Sequence, residues 1–158
     1  YDQEIPVIAA GGIYNGEDIF NIMQLGAKGV QMGTQFVTTE ECDASIEFKN
    51  TYIQAKEEDV EIIVSPVGMP GRAINNAFLD AVKRDEKKPI NCPVKCIKTC
   101  NVETTPYCII AALMNAYKGN FKAGYAFAGS NAFRATKIRP VKELMNELVT
   151  DLKAKMGL

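Results

Sequence analysis

Three stretches of this 158-residue sequence hold most of the residues that could do chemistry. Ala10-Gly11-Gly12-Ile13 and Gln31-Met32-Gly33-Thr34 are glycine-bearing turns. A glycine lets a phosphate approach the backbone closely, and the exposed N–H groups can point at its oxygens. Thr34 adds a hydroxyl donor. The simpler reading of the glycine pair is a tight strand-to-helix turn, and the local spacing leaves both readings open. The third stretch carries Cys92, Cys96, Cys100 and Cys108, spaced C-x3-C-x3-C-x7-C. Four thiols this close could hold zinc or an iron–sulfur cluster, form a redox disulfide, or remain ordinary thiols. The spacing matches neither the paired zinc pattern nor the ferredoxin run, and Lys95 and Lys98 nearby would favour thiolates.

Weaker candidates are Arg72, in GMPGR, and Ser130 and Asn131, in a small-residue loop. Arg72 could meet an anion, or be an exposed loop arginine. Ser130 and Asn131 could face a cofactor or substrate, or serve only the turn. Tyr125, Phe127 and Phe133 read as packing, and Glu17 and Asp18 as helix-start acids. The sequence has no histidine. It therefore offers no Ser–His–Asp or Cys–His arrangement and lacks the usual general base.

The elements around these stretches can be read from periodicity and punctuation. Ile5 to Ala10 is a continuous apolar run, expected to be a strand buried on both faces. Asn15 or Gly16 caps a helix with Ile19, Phe20, Ile22 and Met23 on its apolar face, stopping at Leu25-Gly26. Gly29 to Phe36 is a second strand. Ile5 to Phe36 is thus one βαβ unit, whose parallel strands bring both glycine turns to one sheet edge. In a (β/α)8 barrel the loops after the last two strands make this kind of phosphate site.

Further on, the spacing predicts a helix from Thr38 or Thr39 to about Glu58, a strand at Val60–Val64 and a loop at Ser65–Arg72. Helices follow at Ala73–Lys83, from Thr104 or Thr105 with Pro106 to Gly119, and from Pro140 onward. The last carries Val141, Leu144, Met145, Leu148, Val149 and Leu152 as its stripe. Lys83 to Lys88 reads as a solvated helix end, and Gly124 to Ala132 as a loop.

Composition narrows the function classes. Hydrophobic residues make up 47% and charged residues 23%, an ordinary globular mix, and the net charge is −1. With no basic excess, nucleic-acid binding is not the expected role. The apolar runs are far too short for a membrane span. Five cysteines without a secreted-scaffold pattern fit a reducing cytoplasm. The first residues, from Tyr1 to Ile5, do not read as a signal peptide.

The stretch IPVIAAGGIYNGEDIFNIMQLGAKGVQMGTQF resembles the flavin-binding end of the nitronate monooxygenase family. These are also called 2-nitropropane dioxygenase-like proteins, and the flavin-type enoyl-acyl carrier protein reductases belong to the same group. SPVGMPGRAINN (Ser65 to Asn76) and FAGSNA (Phe127 to Ala132) are similar to later family segments. The family usually has arginine where this chain has Gln35. The resemblance implies an α/β fold: the last strands of a TIM (β/α)8 barrel over residues 1–37, then a mostly helical C-terminal extension over 38–158.

It further implies an FMN-dependent oxidoreductase acting on a small molecule, with Gly11, Gly12, Gln31, Met32, Gly33 and Thr34 as cofactor contacts. The reaction implied is nitronate oxidation by oxygen. NAD(P)H-dependent reduction of an enoyl thioester is the alternative, and a non-catalytic metal-binding or interaction fragment is a third reading. The family's catalytic histidine lies upstream of the matched segment, so no catalytic residue is assigned within the chain. A barrel needs about 200 residues or more. The expectation is therefore a C-terminal portion that pairs with a missing N-terminal part or self-associates.

Overall fold

The structure, a computed structural model, describes residues 4–86, 90, 92, 95–98 and 100–158. Lys87 and Lys88 of the charged run, and Pro93 of the cysteine stretch, lie outside the described residues.

The N-terminal unit is strand–helix–strand, as the sequence predicts. Strand β1 (Ile8–Ala10) pairs in parallel with β2 (Gly29–Gln31), Ala10 opposite Gln31. Helix α1 (Gly16–Gln24) connects them. Asn15 caps α1 by accepting from the Asp18 N–H at 2.9 Å, while the Asp18 carboxylate accepts from the Asn15 N–H at 3.2 Å. This reciprocal box satisfies donors that the first turn leaves open. The helix stops at Leu25, and Gly26 follows with φ +101°.

Two expectations fail here. The run expected as a strand from Ile5 is strand only from Ile8 and is not buried on both faces: Val7, just before it, is 63% and Ile8 57% exposed, because the sheet has only two strands among the described residues. The second strand ends at Gln31, and Thr34–Val37 forms a one-turn helix, α2. The MGT stretch is thus a strand-to-helix turn, with Gly33 at its N-cap.

The helix expected from Thr38 to Glu58 is also shorter. Thr39 bridges to Arg139, and helix α3 (Ile46–Gln54) starts only at Ser45, whose hydroxyl accepts from the Phe48 N–H at 3.2 Å. Strand β3 (Val60–Val64) appears where expected. The loop expected at Ser65–Arg72 is instead a hairpin turn at Ser65–Met69, feeding strand β4 (Pro70–Ile74). Strand β4 takes the residues that would have opened the next helix, so α4 covers Ala77–Lys83. Helix α5 (Ile109–Tyr117) begins after Cys108 rather than at Pro106, and ends at Lys118 with Gly119 at φ +87°. Helix α6 (Val141–Met156) opens after Pro140, as expected.

Three apolar clusters hold these elements. Ile19, Leu144 and Leu148 lock α1 onto α6, with Met32 and Phe36 packed beside them. The α1–α6 approach is close: a Cβ at Gly16 would stand 2.5 Å from the Leu152 N. Tyr52, Ile74, Ala126 and Ala132 form the second cluster, and Ile63, Phe78, Leu79, Tyr107 and Tyr125 the third. The predicted loop at Gly124–Ala132 is a bonded run: Ile74 N–H donates to Ala126 O at 3.1 Å and Ala128 N–H to Arg72 O at 2.9 Å. It extends the hairpin by one strand-like segment, which then leads back to the N-terminal unit.

Candidate functional site

Because β1 and β2 are parallel neighbours, their C-terminal turns lie side by side. Gly11, Gly12, Gln31, Met32, Gly33 and Thr34, the six residues singled out from the sequence, line one cradle of about 50 Å³. Gly129, Ser130 and Asn131 close it from the far end of the chain. The cradle exceeds the ~30 Å³ share of one water and suits a compact group such as a phosphate.

Backbone geometry builds the cradle. Gly11 (φ +90°) and Gly12 (φ +71°) both sit in the left-handed region, where a side chain is strained. A Cβ at Gly11 or Gly33 would meet nothing within 4 Å, so the space beside these glycines is open to a ligand. The N–H groups of Gly12, Gly33 and Thr34 donate to no other described residue. The Thr34 hydroxyl oxygen accepts from the Gly129 N–H at 2.8 Å, which leaves its own proton free to donate inward. Asn131 Nδ2 donates to Gly12 O at 2.7 Å and fixes that peptide. The Met32 side chain also packs on the α1–α6 cluster.

No carboxylate lines the cradle, so nothing there repels an anion. Its one titratable lining group is Tyr14, whose phenol burial pushes above its ordinary value, with Arg139 and Arg134 opposing. The cradle can therefore bind and orient an anion, but it holds no group that would trade protons near neutral pH.

The α1 N-terminus does not serve the cradle. The Asp18 carboxylate takes the Tyr14 N–H (2.9 Å) as well as the Asn15 N–H, and pairs with Arg134 at 3.3 Å. Arg134 also lies 4.7 Å from the centre of the Tyr14 ring. Behind Tyr14, Gln35 is buried and its Nε2 donates to Tyr14 O at 2.8 Å. The glutamine thus ties β2's turn to β1's turn, and cations reach the same neighbourhood from Arg134 and Arg139. Arg139 is held by Glu147.

Ser130 and Asn131, weak candidates in the sequence, are the cradle's third wall, and Gly129 was missed. Its contact crosses 95 positions, which no local pattern reveals. Arg72 lies elsewhere, in β4 opposite Ile62. Tyr125 and Phe127 are packing residues: their rings meet edge-on at 5.1 Å, and Phe127 fills the space a side chain at Gly71 would need. Glu17 pairs with Lys155 at 2.6 Å. All five cysteines are free thiols, and among the described residues no three His, Cys, Asp or Glu side chains stand close enough to hold one metal ion. Among the described residues no helix is long and apolar enough to cross a membrane.

Residues 2–151 match the family model described as nitronate monooxygenase. A probable nitronate monooxygenase of Staphylococcus haemolyticus is 34% identical over 149 residues, 94% of this chain and 39% of that protein. One from Staphylococcus saprophyticus is 40% identical over 91 residues, 58% of this chain and 26% of that protein. The chain thus spans well under half the length of these relatives. Among solved structures, FabK from Thermotoga maritima superposes with a TM-score of 0.80 at 27% identity, over 98% of this chain and 46% of that one. A nitroalkane oxidase from Streptomyces ansochromogenes, at 24% identity and a TM-score of 0.68, over 99% of this chain and 42% of that one, shares the fold. The fold is that of the closing strands of a (β/α)8 barrel with a largely helical region after them.

Proposed function

This chain belongs to the nitronate monooxygenase family, and on that premise we propose that its cradle binds the phosphate of FMN in an enzyme oxidising nitronates with oxygen. The carrying observation is that Gly12, Gly33 and Thr34, whose N–H groups donate to no other described residue, line one small space without a carboxylate, together with the Thr34 hydroxyl. Phosphate sites built from strand-end backbone donors are a recurrent device of this architecture. Donors to a dianion form charge-assisted hydrogen bonds, roughly twice as strong as neutral ones.

The residues present fit the group by size and by donor type. Gly12, Gly33 and Thr34 would hold the phosphate, and Asn131 and Gly129 would position Gly12 and Thr34 for it. Gly11 and Gly33 would leave room for the group to approach. When bound, FMN supplies the electron chemistry of the reaction. The cradle's part is anchoring: a phosphate fixed at the ends of β1 and β2 sets where the rest of the cofactor can lie. No proton transfer is assigned to this chain, which has no histidine and whose cradle phenol is pushed upward.

The exposed apolar strip Ile5, Val7 and Ile8 supports a second part of the reading. An open two-stranded edge with an apolar face is a poor place to stop a sheet. Further polypeptide, either more of the same gene product or a second copy, covers it and completes the cofactor pocket, in a cytoplasmic protein.

Titration of the complete gene product with FMN, followed by flavin fluorescence, tests the binding. Oxygen uptake with an alkyl nitronate tests the reaction. NADH oxidation dependent on a crotonyl thioester, without nitronate activity, would favour the reductase reading that the FabK likeness supports. Failure to bind FMN at all would leave a non-catalytic fragment and overturn both.

A further inference from the structure

The cavity that Cys92, Cys96, Cys100 and Cys108 line, about 310 Å³ in volume, is otherwise mostly apolar, and its thiols do not group as a metal site among the described residues. A cavity of about 200 Å³ behind the cradle has the opposite character. Tyr14 stands in both its wall and the cradle's. Arg134, Lys137 and Arg139 line it against one carboxylate, Glu147.

Tyr14 is only 8% exposed, yet its hydroxyl has no hydrogen-bond partner among the described residues. The charges that act on its phenol are those of Arg139, Arg134 and Glu147, all on this wall. The hydroxyl therefore stands on the side of this cavity. Burial pushes the phenol above its ordinary value, so near neutral pH it is a donor. A buried donor without an acceptor is costly, and an occupant that accepts from it removes the cost. The donor is also fixed in advance, because Gln35, itself buried, holds the Tyr14 carbonyl at 2.8 Å.

The cations beside it keep unused capacity. Arg134 donates to Asp18 at 3.3 Å and lies 4.7 Å from the centre of the Tyr14 ring. Arg139 is held by Glu147, with Glu143 at 3.9 Å. A guanidinium carries more N–H donors than these pairs consume. Lys137 donates to Glu143 at 2.6 Å, but its side chain is 60% exposed, and such a pair is worth little and exchanges readily. Asp18 and Glu143 stand outside the lining, so within it the cations outnumber the carboxylates.

We infer that this cavity is a second anion site, taking a compact oxyanion held by the Tyr14 hydroxyl and the Arg134 guanidinium. The guanidinium fork suits a phosphate or a carboxylate equally. The space is about four times the cradle's, enough for a small organic anion. It is below the ~300 Å³ at which pockets for larger ligands begin. The inference stands apart from the flavin reading, since it uses none of the cradle's donors.

The test is calorimetric titration of the complete gene product, saturated with FMN, with inorganic phosphate and separately with malonate. One anion per chain is expected, bound at least tenfold more weakly by Tyr14→Phe, which removes only the hydroxyl. Thr34→Val, confined to the cradle, should bind it as tightly as before. In tyrosine-labelled protein the Tyr14 ring resonances should shift as the anion is added, a readout that needs no variant. Binding of phosphate alone or of malonate alone supports the site and names its ligand's source. Circular dichroism checks that each variant folds. Binding of neither anion, Tyr14 resonances that stay still, or an affinity unchanged in Tyr14→Phe would overturn the assignment. Binding lost in Thr34→Val but kept in Tyr14→Phe would place the anion in the cradle and overturn it too.

Discussion

The cradle and the cysteine cavity are built by opposite means. At the cradle, a parallel ladder fixes two turns side by side, and the donors are backbone groups whose positions follow from the strand register. At the cavity, the cysteines are side chains on a stretch whose described residues have no ladder at all. The first site is formed before any ligand arrives, whereas the cysteine stretch has no such framework among the described residues. The difference teaches where specificity lies: backbone donors read the size and charge of an anion, and thiols select by softness.

Four perturbations would sharpen that contrast or break it. The largest effect is expected from Leu144→Ala, because Leu144 is fully buried between α1 and α6. A loss of about 2–5 kcal/mol in unfolding free energy should appear in denaturant melts. FMN affinity should fall with it, since α1 follows shortly after the glycine pair, while the reactivity of the cavity thiols per folded chain should not. If both sites fail together, the two regions are one cooperative unit and the contrast is wrong.

Gly12→Val comes next. The cost is the left-handed φ of +71° more than a clash, for a Cβ there meets the Ser130 hydroxyl oxygen at an ordinary 3.7 Å. Strain of about 1–3 kcal/mol predicts a roughly ten- to hundredfold weaker FMN Kd by titration. Unchanged affinity would dissolve the phosphate assignment. Thr34→Val removes a donor to the anion and strands the Gly129 N–H, which should weaken FMN by about tenfold. Thr34→Ser should restore it, whereas a mere packing role for Thr34 would leave the serine variant as weak as valine.

The smallest effect is in acid. Asp80 on α4 is held below its ordinary carboxylate value by the Asn75 amide, and Glu143 on α6 by Lys137. Both folded values are depressed, so the stability they add is full above the ordinary carboxylate range and is lost as pH falls through it. A gentle fall in Tm below about pH 4.5 is expected, shallower in Asp80→Asn and Glu143→Gln. A fall confined to one variant would show that the two ends of the molecule unfold separately.

Local signals were readable in the sequence wherever a few neighbouring residues decide the outcome. The cap at Asn15, one of the two candidates, the Leu25-Gly26 stop, Gly119 after α5 and Pro140 before α6 all sit where the pattern predicts. Strand β4 was not readable, because Pro70–Ile74 is extended only through pairing with β3 and with the Ala126–Ala128 run. The start of α5 slipped past Pro106 for a similar reason: Tyr107 is drawn into the aromatic cluster, edge-on to Phe78 at 5.1 Å. The apolar run at Ile5 to Ala10 looked like a buried strand, yet its burial depends on neighbours that the described residues do not supply.

The candidate site divides the same way. Two of its walls are glycine turns whose chemistry is written in consecutive residues, and the spacing of one βαβ unit was enough to bring them together. The third wall was visible only as a small-residue loop, because Gly129 and Asn131 acquire meaning when they touch Thr34 and Gly12. The cysteine spacing was plain from the start, but only the structure shows that all four cysteines line one cavity.

The bond from Asn131 to Gly12 spans 119 positions, and this has a consequence for biosynthesis. Gly12 leaves the ribosome long before Asn131 exists. At about 5–20 residues per second, the nascent glycine turn waits roughly 6 to 24 s for its third wall. During that interval the β1–β2 pair can form but the pocket between its ends cannot be shut, so the cradle is complete only when translation has nearly reached α6.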